Sequence, residues 1–127
     1  MINFSQNSVF NLNKIENNKI NSNIEKLLLD DENIIGVYKT IRDQLVFTSK
    51  RIVTADVKGI TGTKQEIFSL PYSKIQYFGI QTVGFAEAFP DAELAIFFNN
   101  GLKADFEFKG KNDILEIGKT ISKYVLD

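Results

Sequence analysis

Chemistry in this chain of 127 residues would have to come from carboxylates, lysines, tyrosines or an oxygen-ligated cation, because the sequence contains neither cysteine nor histidine. Without a thiolate or an imidazole there is no cysteine nucleophile, no serine–histidine–aspartate triad, no imidazole general base and no structural zinc finger. These absences exclude the commonest kinds of hydrolase and zinc site. We therefore predict a protein that is not an enzyme and has no catalytic residues, no metal site and no cofactor.

The nearest approach to a catalytic pair is formed by Asp91 and Glu93, with Glu87 close by in sequence. Residues two apart on an extended chain point to the same face, so these carboxylates could act together or hold a hard cation. No nucleophile lies near them, and the glycine-containing pattern of a calcium loop is missing. A polar rim of the fold explains them equally well, so a carboxylate enzyme is the third of three hypotheses.

Basic residues provide candidates for an anion site. The chain as a whole is balanced, with 15 Lys and Arg against 16 Asp and Glu, so no strong field attracts nucleic acid or an anionic membrane. Turn chemistry and a solvated basic face are the alternative interpretation of the same residues. Weak binding of an anionic ligand or lipid headgroup is therefore the second hypothesis, while nucleic-acid binding and membrane or lipid binding in general are not expected. The candidate anion contacts are Lys39, Arg42, Lys50, Arg51 and Lys64.

Aromatic residues in connecting segments either fold back into the core or are buried by another chain. Phe85 and Phe89 lie in a connection of this kind, and Phe4 and Phe10 lie in the asparagine-rich N-terminal segment. Both outcomes stay open for all four residues. They are the candidate contacts to another subunit or to a protein partner.

The spacing of apolar residues along the chain predicts the helices and strands that would position these candidates. Residues 1–22 have scattered apolar positions and are predicted to form a loosely ordered or docking segment, followed by one domain over residues 23–127. The helical spacing of Ile24, Leu27 and Leu28 predicts a short helix from Asn23, with Ser22 as its N-cap. No secretory signal is recognisable at the N-terminus, so the cytoplasm is the expected location.

Beyond the short helix the period changes to two, and β-branched and aromatic residues alternate with polar ones. This pattern predicts seven strands, over residues 34–41, 44–48, 51–57, 64–70, 75–82, 93–98 and 102–108, with a tight hairpin at Asn99, Asn100 and Gly101. Their short, regular spacing favours a bent antiparallel barrel or sandwich. Apolar residues at steps of three and four from Ile114 to Val125 predict a C-terminal helix that closes the barrel.

Seven strands followed by a closing helix resemble the pleckstrin-homology fold, and five segments resemble its bacterial family. These segments are YKTIRD at 38–43, LVFTSKRI at 45–52, GITGTK at 59–64, SLPYS at 69–73 and DAEL at 91–94. The resemblance extends from about Glu25 to the C-terminus. It implies a mainly β, PH-like fold.

Eukaryotic relatives of this fold often bind phosphoinositides through a long basic loop between the first two strands. Here that loop is reduced to Arg42 and Asp43, so the resemblance does not imply inositide binding. Members of the bacterial family form ring-shaped homo-oligomers, pentamers among them, and the resemblance implies such a homo-oligomer here. The leading hypothesis is a non-catalytic, self-associating binding or scaffold module whose unpaired strand edges make subunit contacts.

Overall fold

A computed structural model describes residues 8–82, 92–109 and 114–126 of the chain. Within these ranges the protein is mainly β, with eight strands, two α-helices and two short 3-10 turns, Asn17–Lys19 and Tyr72–Lys74. The helices are α1, Ser22–Leu27, and α2, Ile114–Val125. The strands are β1 Ser8–Ile15, β2 Ile34–Lys39, β3 Gln44–Thr48, β4 Arg51–Lys58, β5 Lys64–Pro71, β6 Ile75–Gln81, β7 Ala92–Phe98 and β8 Lys103–Phe108.

The strands form one sheet in the order β5-β4-β3-β2-β1-β8-β7-β6. β2 to β5 are antiparallel neighbours, and so are β6 to β8. β1 joins these two halves, because it pairs antiparallel with β2 and parallel with β8. The prediction of seven antiparallel strands is therefore corrected in two respects: there is an eighth strand, and one of its pairings is parallel.

β1 changes partner at an irregularity in its backbone. The register with β8 shifts between Val9 and Leu12, and Asn11 between them has a φ of 63°. Asparagine tolerates this left-handed conformation better than most residues, which makes the switch from β8 to β2 sterically feasible. Leu12 is fully buried in the main core. β1 is therefore part of the sheet, while the division into a loosely ordered or docking segment at residues 1–22 and a domain at residues 23–127 stays a prediction.

The sheet is not closed by strand pairing, which corrects the expected closed barrel. Within the described residues, β5 and β6 each have a strand neighbour on one side only, and they are the two edges of the sheet. The predicted C-terminal helix is confirmed: α2 packs on the Tyr72–Lys74 turn, β6 and β7. Its residues Ile114, Ile117 and Ile121 are buried in the main core.

Two apolar clusters hold the fold together, one on each face of β2 to β5. β4 shows this arrangement most clearly, because Ile52 lies in the main core while Val53 and Ala55 lie in a second cluster. That second cluster also contains Ile24 of α1, so α1 covers the outer face of this half of the sheet. A strand buried on both faces needs a nearly continuous apolar sequence, as residues 52–55 show.

α1 begins one residue away from the predicted position of its cap. The carboxamide of Asn21 accepts hydrogen bonds from the backbone N–H groups of Asn23 at 2.8 Å and Ile24 at 3.3 Å. Asn21 is therefore the N-cap, and the predicted cap Ser22 is the first residue of the helix. Among the described residues, neither helix has the length and apolar character needed to cross a membrane.

Candidate functional site

The structure distributes the five predicted anion contacts over two opposite ends of the sheet. β2 to β5 run antiparallel, so the β2–β3 and β4–β5 turns lie at one end and the β3–β4 turn lies at the other. Lys39, Arg42 and Lys64 lie at the first end. Lys50 and Arg51 lie at the second. The five residues therefore do not gather into one site.

At the second end, Arg51 is held by a network of hydrogen bonds. Its guanidinium donates to the carboxylate of Glu32 from Nε at 2.9 Å and from Nη2 at 2.8 Å. Nη1 donates to the Ser69 hydroxyl at 2.9 Å, and Nη2 also donates to the carbonyl oxygen of Leu27 at 2.9 Å. All three guanidinium nitrogens thus have partners within the protein. Arg51 ties the end of α1 to β4 and β5.

Glu32 is the buried anion at the centre of this network. Its side chain has no solvent exposure, and it also accepts a hydrogen bond of 2.6 Å from the Thr48 hydroxyl and one of 3.1 Å from the backbone N–H of Leu29. Burial alone would raise the pKa of Glu32, but the hydrogen bonds from Arg51, Thr48 and Leu29 outweigh it and lower the pKa to about 2. Glu32 is therefore ionised throughout the neutral range.

Tyr72 extends the network to the C-terminal helix. Its hydroxyl donates to the carbonyl oxygen of Thr48 at 2.8 Å, and its ring stacks on Tyr124 of α2 with centroids 5.0 Å apart. Burial raises the pKa of the Tyr72 phenol. The remaining predicted contact at this end, Lys50, forms an exposed ion pair of 3.2 Å with Asp31. Internal hydrogen bonds thus account for Glu32 and Arg51, and an ion pair accounts for Lys50, which points to a role of this network in stability.

The other end of the sheet carries a pocket of about 460 Å³ between the first 3-10 turn and the β2–β3 turn. Gln44 holds the two turns together: its Nε2 donates to the carbonyl oxygen of Lys19 at 3.0 Å, and its Oε1 accepts from the N–H of Asn21 at 2.7 Å. This contact places Lys19 beside the predicted residues Lys39 and Arg42. The pocket is lined by Ile15, Lys19, Lys39, Thr40, Ile41, Arg42, Asp43 and Gln44.

The β2–β3 turn at the pocket is braced from both sides. Arg42 donates a hydrogen bond from Nη2 to the carbonyl oxygen of Gly59 in the β4–β5 turn. The buried carboxylate of Asp43 accepts from the N–H of Val57 at 2.9 Å, and the Thr40 hydroxyl accepts from the N–H of Asp43 at 3.0 Å. These bonds fix the two neighbouring turns relative to each other.

Two isoleucine side chains in the turns at this end of the sheet are fully exposed to solvent. Ile41 in the β2–β3 turn is 97% exposed, and Ile60 in the β4–β5 turn is 104% exposed. Lys64 is exposed at the start of β5, opposite Lys58 in the register. Lys58 itself is paired with Glu66. Among the described residues, Lys19, Lys39, Arg42 and Lys64 at this end form no ion pair with a carboxylate, and exposed apolar side chains lie beside them.

Several sequence candidates fall outside what the structure describes. Phe4, Phe85, Phe89 and the acidic residues Glu87 and Asp91 lie outside the described ranges, and their roles stay predictions. Phe10 lies in β1. Glu93 is exposed on β7, in register with Gln81 and Glu107. In the described part of the chain, no group of three or more acidic residues is placed to hold a metal ion.

The arrangement of strands and helix agrees with the comparison to known families. The family model of the bacterial PH domain matches residues 3–125, nearly the whole chain. The chain belongs to the bacterial PH domain family. The resemblance inferred from the five sequence segments is thereby confirmed, and the match includes β1, which lies outside the predicted domain.

Two Bacillus subtilis (strain 168) proteins are similar to this bacterial PH domain. The uncharacterized protein YjqA is 34% identical over 105 residues, which cover 81% of this chain and 82% of YjqA. The uncharacterized protein YozO is 33% identical over 102 residues, which cover 80% of this chain and 86% of YozO.

Solved structures show the same fold. A DUF1696 family protein with a pleckstrin-homology domain from Shewanella loihica PV-4 matches with a TM-score of 0.78 and 31% identity, over 93% of this chain and 100% of its own. A pleckstrin-homology domain from Shewanella amazonensis SB2B matches with a TM-score of 0.66 and 34% identity, over 89% of this chain and 90% of its own. Both likenesses support the PH-like assignment.

The outer face of the other half of this bacterial PH domain carries an aromatic surface beside the β6 edge. Tyr77 is 55% exposed and stacks on Phe97 of β7 with centroids 4.2 Å apart, while Lys103 Nζ lies 5.4 Å from the centre of the Phe97 ring. Next to this stack, Gly79 faces Ala95 in the register. A Cβ added at Gly79 would meet no atom within 4 Å. The surface is therefore open at Gly79, beside an exposed aromatic stack.

Proposed function

We propose that the protein is a non-catalytic scaffold module that associates with copies of itself, and that the two sheet edges β5 and β6 make the contact. The observation that carries this proposal is the open sheet: β5 is eight residues long and β6 is seven, and each is paired on one side only within the described residues. A strand edge exposes a row of backbone donors and acceptors that another strand can satisfy.

The sequence of β6 strengthens this argument. Its residues, IQYFGIQ, include no charge and no proline, which are the usual means by which proteins prevent edge-to-edge pairing. Tyr77 adds an exposed aromatic ring on the same strand. β5 carries Lys64 and Glu66 among its first three residues and Pro71 at its end, while residues 67–70 are IFSL. The β6 edge is thus open to a strand along its whole length, and the β5 edge over residues 67–70.

Pairing of β6 in one copy with β5 in the next is a head-to-tail contact, since the two surfaces differ. Repetition of such a contact gives a closed ring when the rotation per subunit permits, and an open filament otherwise. We propose a ring, and a pentamer is one such closure. The missing cysteine and histidine and the internally bonded Glu32–Arg51 pair support a role in assembly over one in catalysis.

Light scattering coupled to size-exclusion chromatography tests the proposal. We expect the unmodified chain to elute with the mass of several subunits at tens of micromolar. Gly79→Lys places a charge at the β6 edge where the subunit itself leaves room, so it should shift the mass to the monomer without loss of the circular dichroism signal.

Leu115→Lys is the matched control, because Leu115 is an exposed apolar residue of α2 and belongs to neither edge strand. It should leave the mass unchanged. A monomeric unmodified chain would refute self-association. An oligomer that survives Gly79→Lys would refute the role of the β6 edge.

A further inference from the structure

We propose that a pocket beside the hairpin between β7 and β8 binds a small carboxylate with an apolar body, of the class of medium-chain fatty acids. This hairpin pocket lies at the end of the sheet that carries Arg51, since Arg51 pairs in register with Pro71 of its lining. It shares no residue with the pocket at the β2–β3 turn. Its apolar lining comes from Leu70, Pro71, Phe98 and Leu102. The proposal does not rest on self-association.

Most of the lining of the hairpin pocket is apolar. Phe98 is buried in the main core and Leu70 packs against that core, so this part of the lining is continuous with the interior of the protein. Leu102 is 46% exposed. Water gains few hydrogen bonds from such walls, and an apolar group that displaces it is favoured. The volume is about 280 Å³, and since an apolar cavity of roughly 150 Å³ holds benzene, a body of about eight carbon atoms fits.

The polar groups of the hairpin pocket favour a singly charged anion. No carboxylate is among its described lining residues. Lys103 is engaged elsewhere, by the carboxylate of Asp105 at 3.5 Å and by the ring of Phe97. Among the residues that the structure describes, the side chains of Lys74 and Asn99 have no ion pair or hydrogen bond. One ammonium beside one carboxamide matches a carboxylate, whereas a phosphate usually requires several cations.

Backbone hydrogen bonds hold the hairpin pocket in shape before any ligand arrives. The N–H of Asn99 donates to the carbonyl oxygen of Lys74 at 2.9 Å, which ties the hairpin to the Tyr72–Lys74 turn. Within the hairpin, the N–H of Leu102 donates to the side-chain oxygen of Asn100 at 3.1 Å. Both sides of the pocket are thus fixed relative to each other. Groups that are fixed in advance lose less entropy on binding, which favours affinity.

Titration of the ¹⁵N-labelled chain with octanoate, at constant pH and ionic strength, tests the site. We expect the amide shifts to concentrate in residues 70–74 and 98–103. Titration with 1-octanol, which has the same chain length and no charge, should move the same amides. Its binding should be about tenfold weaker, since a hydrogen bond between charged groups is lost.

Two variants separate the contact to the carboxylate from the contact to the apolar body. Lys74→Ala should weaken octanoate binding about tenfold and leave octanol binding unchanged, because only the carboxylate contacts the ammonium. Leu102→Ser should weaken the binding of both probes, because it removes part of the apolar wall. Lys26→Ala is the matched control, since Lys26 is an exposed lysine of α1 that does not line the pocket. It should leave both titrations unchanged.

Several results would overturn this site. Scattered shifts, no response to octanoate, or an equal loss of octanoate binding in Lys26→Ala would refute binding in the hairpin pocket. Equal weakening of octanoate and octanol by Lys74→Ala would refute the carboxylate contact. A response to octanoate that appears only in the monomeric Gly79→Lys variant would show that a second copy covers the pocket, which would refute the ligand site and support the proposed assembly.

Discussion

Replacement of Glu32 by glutamine should destabilise the protein strongly at neutral pH and much less in acid. In the folded chain the pKa of Glu32 is about 2, while a glutamate in an unfolded chain titrates near 4.3. Each pKa unit corresponds to about 1.4 kcal/mol, so a difference of roughly two units contributes about 3 kcal/mol at pH 7. Glutamine keeps the shape of the side chain but removes the charge that the mostly buried Arg51 requires.

The sign of the pH dependence follows from the lowered pKa. The stabilisation by ionised Glu32 is fully present at pH values above the pKa that Glu32 has in the unfolded chain. It is lost as the pH falls through the pKa that Glu32 has in the folded chain, which means between about pH 5 and pH 2. Urea unfolding followed by circular dichroism should therefore show a difference between the parent and Glu32→Gln of about 3 kcal/mol at pH 7. At pH 3 the difference should fall to roughly half.

The matched control for this experiment is Glu66→Gln, which removes an exposed ion pair with Lys58. Exposed pairs contribute little, so the urea midpoint should hardly move. If Glu32→Gln lowered the stability no more than Glu66→Gln, or by the same amount at pH 7 and pH 3, the assignment of Glu32 as a buried stabilising anion would be wrong.

Two further substitutions probe elements that the sequence pattern did not reveal or only partly revealed. Leu12→Ala should cost about 3 kcal/mol in urea unfolding because Leu12 is fully buried in the main core, whereas an unchanged midpoint would show that β1 is not part of the stable fold. Tyr72→Phe should cost about 1 kcal/mol through loss of the hydrogen bond to Thr48. The difference in unfolding free energy between the parent and Tyr72→Phe should become smaller above about pH 10, because an unfolded tyrosine ionises there while burial keeps the Tyr72 phenol protonated. A difference that stays constant up to pH 11 would contradict the raised pKa of Tyr72.

The regular part of the fold could be predicted from local patterns. Alternation of apolar and polar residues placed β2 to β8 within one or two residues of their observed ends, and the helical period placed α2. The hairpin at Gly101 followed from its residue types, and Gly101 indeed has a φ of 88°. These features depend on residues close together in the sequence, so they can be recognised from one sequence alone.

Features that depend on distant partners could not be predicted in this way. β1 lacks a clear period because its pairing switches at Asn11. Glu32 follows Asp30 and Asp31 and looks like part of a polar helix end, and only its contact with Arg51 reveals its role. Lys19 enters the pocket through the hydrogen bond between its backbone and Gln44. No local pattern encodes these contacts.

The position of β1 has a consequence for how the chain is made. Its register with β8 joins Ser8 to Asp105 and Val9 to Phe106, so β1 leaves the ribosome well before the strand with which it pairs. Until β8 emerges, β1 can pair with β2 alone, and its other edge stays open to neighbouring nascent chains. Pairings between distant segments also form slowly, because a long loop has to close first. Completion of this sheet therefore has to wait for β8, and slower translation would prolong the interval in which β1 lacks its second neighbour.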